Sequence, residues 1–195
     1  MRLWNKTLHT CAAVVALLVL PLVAEAAPFK GQFKFTSNAP KEDIFGTADG
    51  SAELTITPAD LKATRGTVKV SVASMKTGND TRDEHLRSAG WLDAAKFPEI
   101  SFEITGVEVG ATSEKDGVKS AEAQAVGKFT MHGVTKELKA PATIKWKDDK
   151  KAKITTSFTI ALSDFAVTEP GGDGVIGSKV GAQIKCEATL TGTLP

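Results

Sequence analysis

The sequence predicts an all-β protein of eight antiparallel strands, with one short helix across an end. Three observations carry this prediction. Apolar residues recur at every second position from Phe29 to Leu190, the period of strands with one buried face. Turn signals such as Thr57-Pro58, His132-Gly133, Asp148-Asp149 and Pro170-Gly171-Gly172 divide them into closely linked runs. A charged stretch, TGNDTRDEHLRSAGW at 77–91, interrupts the alternation once.

Ahead of the first strand, Arg2 and Lys6 precede an apolar run from Cys11 to Val23, and Ala24-Glu25-Ala26 supplies a small-x-small cleavage pattern. The expectation is a secretory signal over 1–26, whose removal leaves one domain over 27–195 in the periplasm or outside the cell. The apolar run is shorter than the ~20 residues a spanning helix needs, and no later stretch is long and apolar enough. Cys11 opens the run, whereas a lipid-modified cysteine would close it. Losing Arg2, Lys6 and Glu25 takes 24 basic and 23 acidic residues to 22 of each, which lacks the basic footprint of a nucleic-acid binder. Cys186 is then the one cysteine, so no internal disulfide forms and the core must hold the fold.

The inward sets follow in chain order. Phe29, Phe33 and Phe35 begin, followed by Leu54 and Ile56, then Val68, Val70 and Val72, then Ile100, Phe102 and Ile104. Beyond these come Ala123, Ala125, Gly127, Phe129 and Met131, then Leu138, Ala140, Ala142, Ile144 and Trp146. Ile154, Phe158, Ile160 and Leu162 form the seventh run, and Val180, Ala182, Ile184, Cys186, Ala188 and Leu190 the eighth. Short connections favour antiparallel neighbours. Such a sheet folds into a sandwich or closes on itself, and closure removes aggregation-prone edges. An eight-stranded barrel is either just filled by side chains or holds one small ligand. Alanine or glycine at 121, 123, 125, 127, 140, 142, 182 and 188 leaves room beside Phe33, Phe35, Phe102, Phe129 and Phe158, which points to a cavity. A dense core of small residues set against aromatics is the alternative.

Within the charged stretch, Thr81-Arg82-Asp83-Glu84 has the form of a capping box that opens a helix. Asp83 and Arg87 then share a face, and Gly90 offers a left-handed end. Trp91, Leu92 and Phe97 turn the exit inward before Pro98 starts the next strand. The chemical alternative is a hydrolytic or metal site using His85 with Asp80, Asp83 or Glu84. Zinc normally takes several nitrogen or sulfur ligands. After the leader only His85 and His132 remain, and HExxH is absent.

Other motifs carry little. GDGVIG at 172–177 fits G-x-G-x-x-G, but a strand pattern follows it where a dinucleotide site needs a helix. The lysine-rich KWKDDKKAK reads as a solvated turn, no G-x-S-x-G elbow is present, and inward apolar neighbours make Cys186 a core thiol rather than a nucleophile.

The stretches TGNDTRDEHLRSAGWLDAAKFPEISFEI, GKFTMHGVTKEL and LSDFAV resemble the YceI-like family of exported proteins. The resemblance covers nearly all of 27–195 and implies a lipocalin-like barrel holding a polyisoprenoid or similar amphiphilic lipid. It implies binding rather than catalysis, with no catalytic set to carry over, and no metal or cofactor is expected. Two departures stand out: the N-terminal segment lacks the family's Asp-x-x-His-Ser, and LSDFAV has Ala166 where glycine is usual. The expected chain-gripping residues are Phe33, Phe35, Trp91, Phe102, Ile104, Phe129, Ile144, Phe158 and Ile184. Asn79, Arg82 and His85 are expected near a head group, since an arginine fork suits phosphate; Arg87 has Asp83 as its natural partner. Two other functions stay open: a module docking to a membrane redox or envelope protein, and a hydrolase using the Asp80–His85 cluster.

Overall fold

The computed structural model describes residues 25–39, 41–148, 150–168, 176 and 178–194. The expected leader lies outside them except for Glu25 and Ala26, as does most of the GDGVIG loop. The described strands are β1 (Ala27–Asn38), β2 (Asp43–Ala48), β3 (Gly50–Thr57), β4 (Asp60–Ser71), β5 (Glu99–Lys115), β6 (Val118–Met131), β7 (Val134–Lys147), β8 (Lys151–Ala161) and β9 (Gln183–Thr193). All pair antiparallel in one sheet, and β9 returns to β1 from Phe29–Gly192 to Ser37–Ile184, closing it into a barrel.

The barrel wall has eight positions because β2 and β3 share one. β1 pairs with β2 through Phe33–Ala48 and with β3 through Phe29–Ala52, a single register interrupted at Asp49. There the Asp49 carbonyl accepts from the Ser71 amide at 2.9 Å, and its amide donates to Ser74 Oγ at 2.8 Å. A 3₁₀ turn at Val72–Ser74 thus peels the chain off β4, and Thr47 and Lys76 then exchange two backbone bonds of 2.9 Å beside β2. Val72 accordingly lies buried in that turn and not in the strand its periodicity suggested. β2 escaped the alternation pattern because DIFGTA turns only Ile44, Gly46 and Ala48 inward and sends Phe45 to solvent.

Tight turns hold the register elsewhere. Asp116-Gly117 links β5 to β6 and His132-Gly133 links β6 to β7, with φ of 53° and 75°, then 51° and 76°. Two positive φ values in succession are the type I′ turn, whose twist matches the strands it joins. His132 meets the Phe97 ring edge-on, with centroids 4.9 Å apart, and a Cβ on Gly133 would fall 2.5 Å from Phe97. Phe97 is thereby pinned over this turn.

Helix α1 (Asp80–Arg87) differs from its predicted form at both ends. Its N-cap is Asn79, whose side-chain oxygen accepts from the Arg82 amide at 2.9 Å, so the Thr81–Glu84 capping box is not formed. Its C-cap is Ser88 in extended backbone, and the left-handed residue of the exit is Asp93 (φ 45°) rather than Gly90. Arg87 reaches the Met75 carbonyl at 3.1 Å instead of forming the expected ion pair with Asp83.

Candidate functional site

At the end away from α1, Phe29, Ala52, Leu61, Ala121, Trp146 and Ala152 are buried and pack into the core without lining the cavity described next. Toward α1 the interior opens into a cavity of about 830 Å³. That volume falls within the ~300–1,000 Å³ typical of small-molecule sites. Small side chains make the space, since Ala48, Ala123, Ala125, Ala140, Ala142 and Ala188 all line it. The dense core that was the alternative is therefore confined to one end. Gly127 has a different role: a Cβ there would fall 2.0 Å from the Glu103 carbonyl, so glycine lets β6 lie close to β5.

Each expected chain-gripping residue borders this space: Phe33, Phe35, Trp91, Phe102, Ile104, Phe129, Ile144, Phe158 and Ile184. Phe129 is the centre of the aromatic wall, with ring centroids at 6.4 Å from Phe102 and 5.9 Å from Phe158, and it also packs on the buried Phe165, which does not line the cavity, at 5.3 Å. Met131 also lines the wall, as periodicity predicts, whereas Ile44, Met75, Leu86, Leu92 and Val107 line it but were not picked out by periodicity. Most of them stand in β2, in α1 or in the irregular segments beside it, where a period of two carries no signal.

The mouth is polar and bears Asn79, Arg82 and His85 as expected, together with Glu42, Ser88 and Lys179. Asn79 is already engaged as the helix cap. The Arg82 guanidinium is engaged too: Nη1 donates to Glu42 Oε1 at 3.0 Å and Nε to Thr77 Oγ1 at 2.9 Å. Its fork therefore spans the rim from α1 to the segment before β2. Sequence spacing gave no hint of Glu42, which is 40 residues away.

The charged cluster is wired for structure. Asp83 is 5% exposed and accepts from the Thr77 hydroxyl at 2.6 Å and the Thr77 amide at 2.8 Å. Those bonds, the hydroxyl's first, hold its carboxyl below the usual range; burial opposes the shift, and Arg87 and Arg82 add to it. Asp83 thus faces Thr77 rather than His85. Among the described residues no group of three His, Cys, Asp or Glu side chains is placed to hold a metal ion. Cys186 lines the cavity as a free thiol, and burial pushes its pKa up to about 12.

A closed antiparallel barrel, packed at one end and hollow toward a helix-covered mouth, is the class of protein these features define. The model of the YceI-like domain matches residues 25–191, and the chain belongs to that family. A UPF0312 protein of Pseudomonas putida strain GB-1 is 34% identical over 134 residues, 66% of each chain. The matched segment thus spans just under two thirds of that relative. Among solved structures, Burkholderia cenocepacia BcnA superposes with a TM-score of 0.69 at 17% identity, over 83% of this chain and 95% of its own. A polyisoprenoid binding domain from Saccharophagus degradans gives 0.63 at 13% identity, over 88% and 99%. The Campylobacter jejuni YCEI protein gives 0.61 at 21% identity, over 99% of both. At these identities the likeness establishes the shared barrel.

Proposed function

We propose that this protein is an exported carrier that holds a polyisoprenoid or similar long amphiphilic lipid in its barrel cavity, with the head group at the α1 mouth. The observation that carries this reading is the cavity: about 830 Å³, walled mostly by aliphatic and aromatic side chains, with the buried Thr64 among its few interior polar groups and charged residues at its mouth. A water-sized group takes ~30 Å³ of liquid, so there is room for on the order of 25 such groups. Burying one five-carbon unit is worth roughly 3–4 kcal/mol gross at ~0.8 kcal/mol per methylene, against an association cost of ~4–15 kcal/mol. One unit is held weakly, and several in series are held firmly. A deep cavity therefore selects long chains over short ones. That the Saccharophagus neighbour is a polyisoprenoid binding domain supports the same ligand class. In this reading His85, the Asn79 amide nitrogen and Lys179 are the mouth groups that meet a head group.

The test is native mass spectrometry of the protein purified from its own host's envelope, followed by organic extraction of whatever is released. A stoichiometric long-chain lipid is the expected result. A protein that stays empty when offered long-chain lipids would overturn the carrier reading and bring the partner-docking function forward.

A further inference from the structure

Beside the mouth, the outer face of β9, β1 and β2 forms a second, shallow groove. Lys34, Thr36, Phe45, Thr47, Lys76, Lys185 and Glu187 border it, in the order the register dictates: Lys34 lies opposite Thr47 and Glu187, and Thr36 opposite Phe45 and Lys185. Phe45 is 66% exposed, and no other large hydrophobic residue among those described is comparably bare. Strand alternation explains its direction, because Ile44, Gly46 and Ala48 take the inward places of β2. Alternation does not explain why the outward place is aromatic.

The charges around Phe45 are unbalanced. Glu187 pairs with Lys185 at 2.9 Å and Glu42 with Arg82 at 3.0 Å, while Asp43 accepts from the neutral Asn38 amide at 2.8 Å and keeps its charge, so four cations, Lys34, Lys76, Arg82 and Lys185, face three acids. Lys34 and Lys76 have no ion pair among the described residues. The groove therefore offers two free ammonium groups and an exposed ring, a pattern suited to a lipid interface, where aromatic rings settle at head-group level and lysines meet anionic lipid. The groove also runs into the cavity: Lys34, Phe35, Thr77 and Glu187 border both.

We infer that this groove is a docking surface for an anionic lipid bilayer, with Phe45 entering the head-group layer and Lys34 and Lys76 meeting phosphate. Docking here sets the cavity rim against the membrane, so a hydrophobic ligand crosses between the two without traversing water. The transfer part of this inference rests on the carrier reading; the docking part does not.

The experiment is flotation of the purified protein, both as isolated and after lipid extraction, with vesicles of phosphatidylethanolamine and phosphatidylglycerol or of phosphatidylcholine alone. Binding to the anionic vesicles that falls steeply with added salt is expected. The Lys34→Glu, Lys76→Glu double variant should lose roughly 25-fold or more of that affinity, at about fivefold or more per lysine near a charged surface. In the Phe45→Trp variant, indole emission should shift to the blue on adding anionic vesicles. Both variants alter exposed side chains, and circular dichroism checks that they fold. Equal binding to the two vesicle types, or undiminished binding by the folded double variant, would overturn the inference. So would a dimer in sedimentation equilibrium that shields Phe45. A protein that never carries lipid yet still floats with anionic vesicles refutes the carrier reading alone; one that retains lipid but never floats refutes docking alone.

Discussion

Thr77 and Asp83 are joined twice, hydroxyl to carboxylate and amide to the same oxygen, and this pair ties α1 to the segment that leaves the barrel wall. Hydrogen bonds to a charged group are worth ~1.5–3 kcal/mol, so Asp83→Asn should destabilise the protein by about that much at pH 7. The pH dependence has a definite sign. Asp83's folded pKa lies below its unfolded value, so its contribution is complete above the unfolded value of ~3.9 and is lost as pH falls through the lower, folded one. Urea unfolding of both proteins at pH 7 and pH 3 checks this: the gap between them should narrow at pH 3, and an unchanged gap would show that the charge is not what stabilises.

Ala166 closes the 3₁₀ turn at Leu162–Phe165 in left-handed backbone, with φ 52° and ψ 26°. That conformation explains why glycine suits this place in the family motif. A residue with a Cβ is disfavoured there by ~1–2 kcal/mol, whereas glycine's freer unfolded chain costs ~0.4–1 kcal/mol. Ala166→Gly should therefore stabilise the protein by roughly 0.5–1 kcal/mol in chemical denaturation; a net loss would contradict the strain.

Ala123 and Ala142 are register partners on β6 and β7, and both face the cavity. Ala142→Leu should fill space without disturbing the wall. Long-chain lipid affinity is expected to fall at least tenfold, the cost of two lost methylene contacts at ~0.8 kcal/mol each. Thermal stability should hold or rise. Full retention of long-chain ligand by the folded variant would place the ligand elsewhere.

Cys186 should be nearly inert in the native state. At pH 8 a thiol whose pKa is pushed up to about 12 is ionised in roughly one molecule in 10⁴, against about a quarter for an ordinary thiol near 8.5. Following the Cys186 peptide by mass spectrometry, alkylation by iodoacetamide should be about three orders of magnitude slower in the folded protein than in urea. Comparable rates would mean the thiol is exposed.

Much of the barrel was legible because a wall with one apolar face writes its period directly into the chain; apart from Trp91, the aromatic and aliphatic lining from Phe33 to Ile184 follows from counting by twos. β2 was not legible, because glycine and alanine on its inner side and a phenylalanine outside erase the contrast that periodicity needs. Nor were the helix ends: Asn79 and Thr81 are both good caps, and tertiary bonds from Thr77 to Asp83 decide between them. The mouth was half legible. Arg82 was located, but its engagement with Glu42 depends on a contact across the barrel rim that no local spacing encodes.

The pairing of the first and last strands makes the sheet a ring, in which Phe29 and Gly192 are neighbours although they lie near opposite ends of the chain. A ring has no privileged starting point. The barrel's architecture is thus indifferent to where the chain is cut, so a circular permutant joined between β9 and β1 and opened at the exposed Asp116-Gly117 turn preserves every strand neighbour. The cavity depends on closure of that ring and not on the order in which its staves are made.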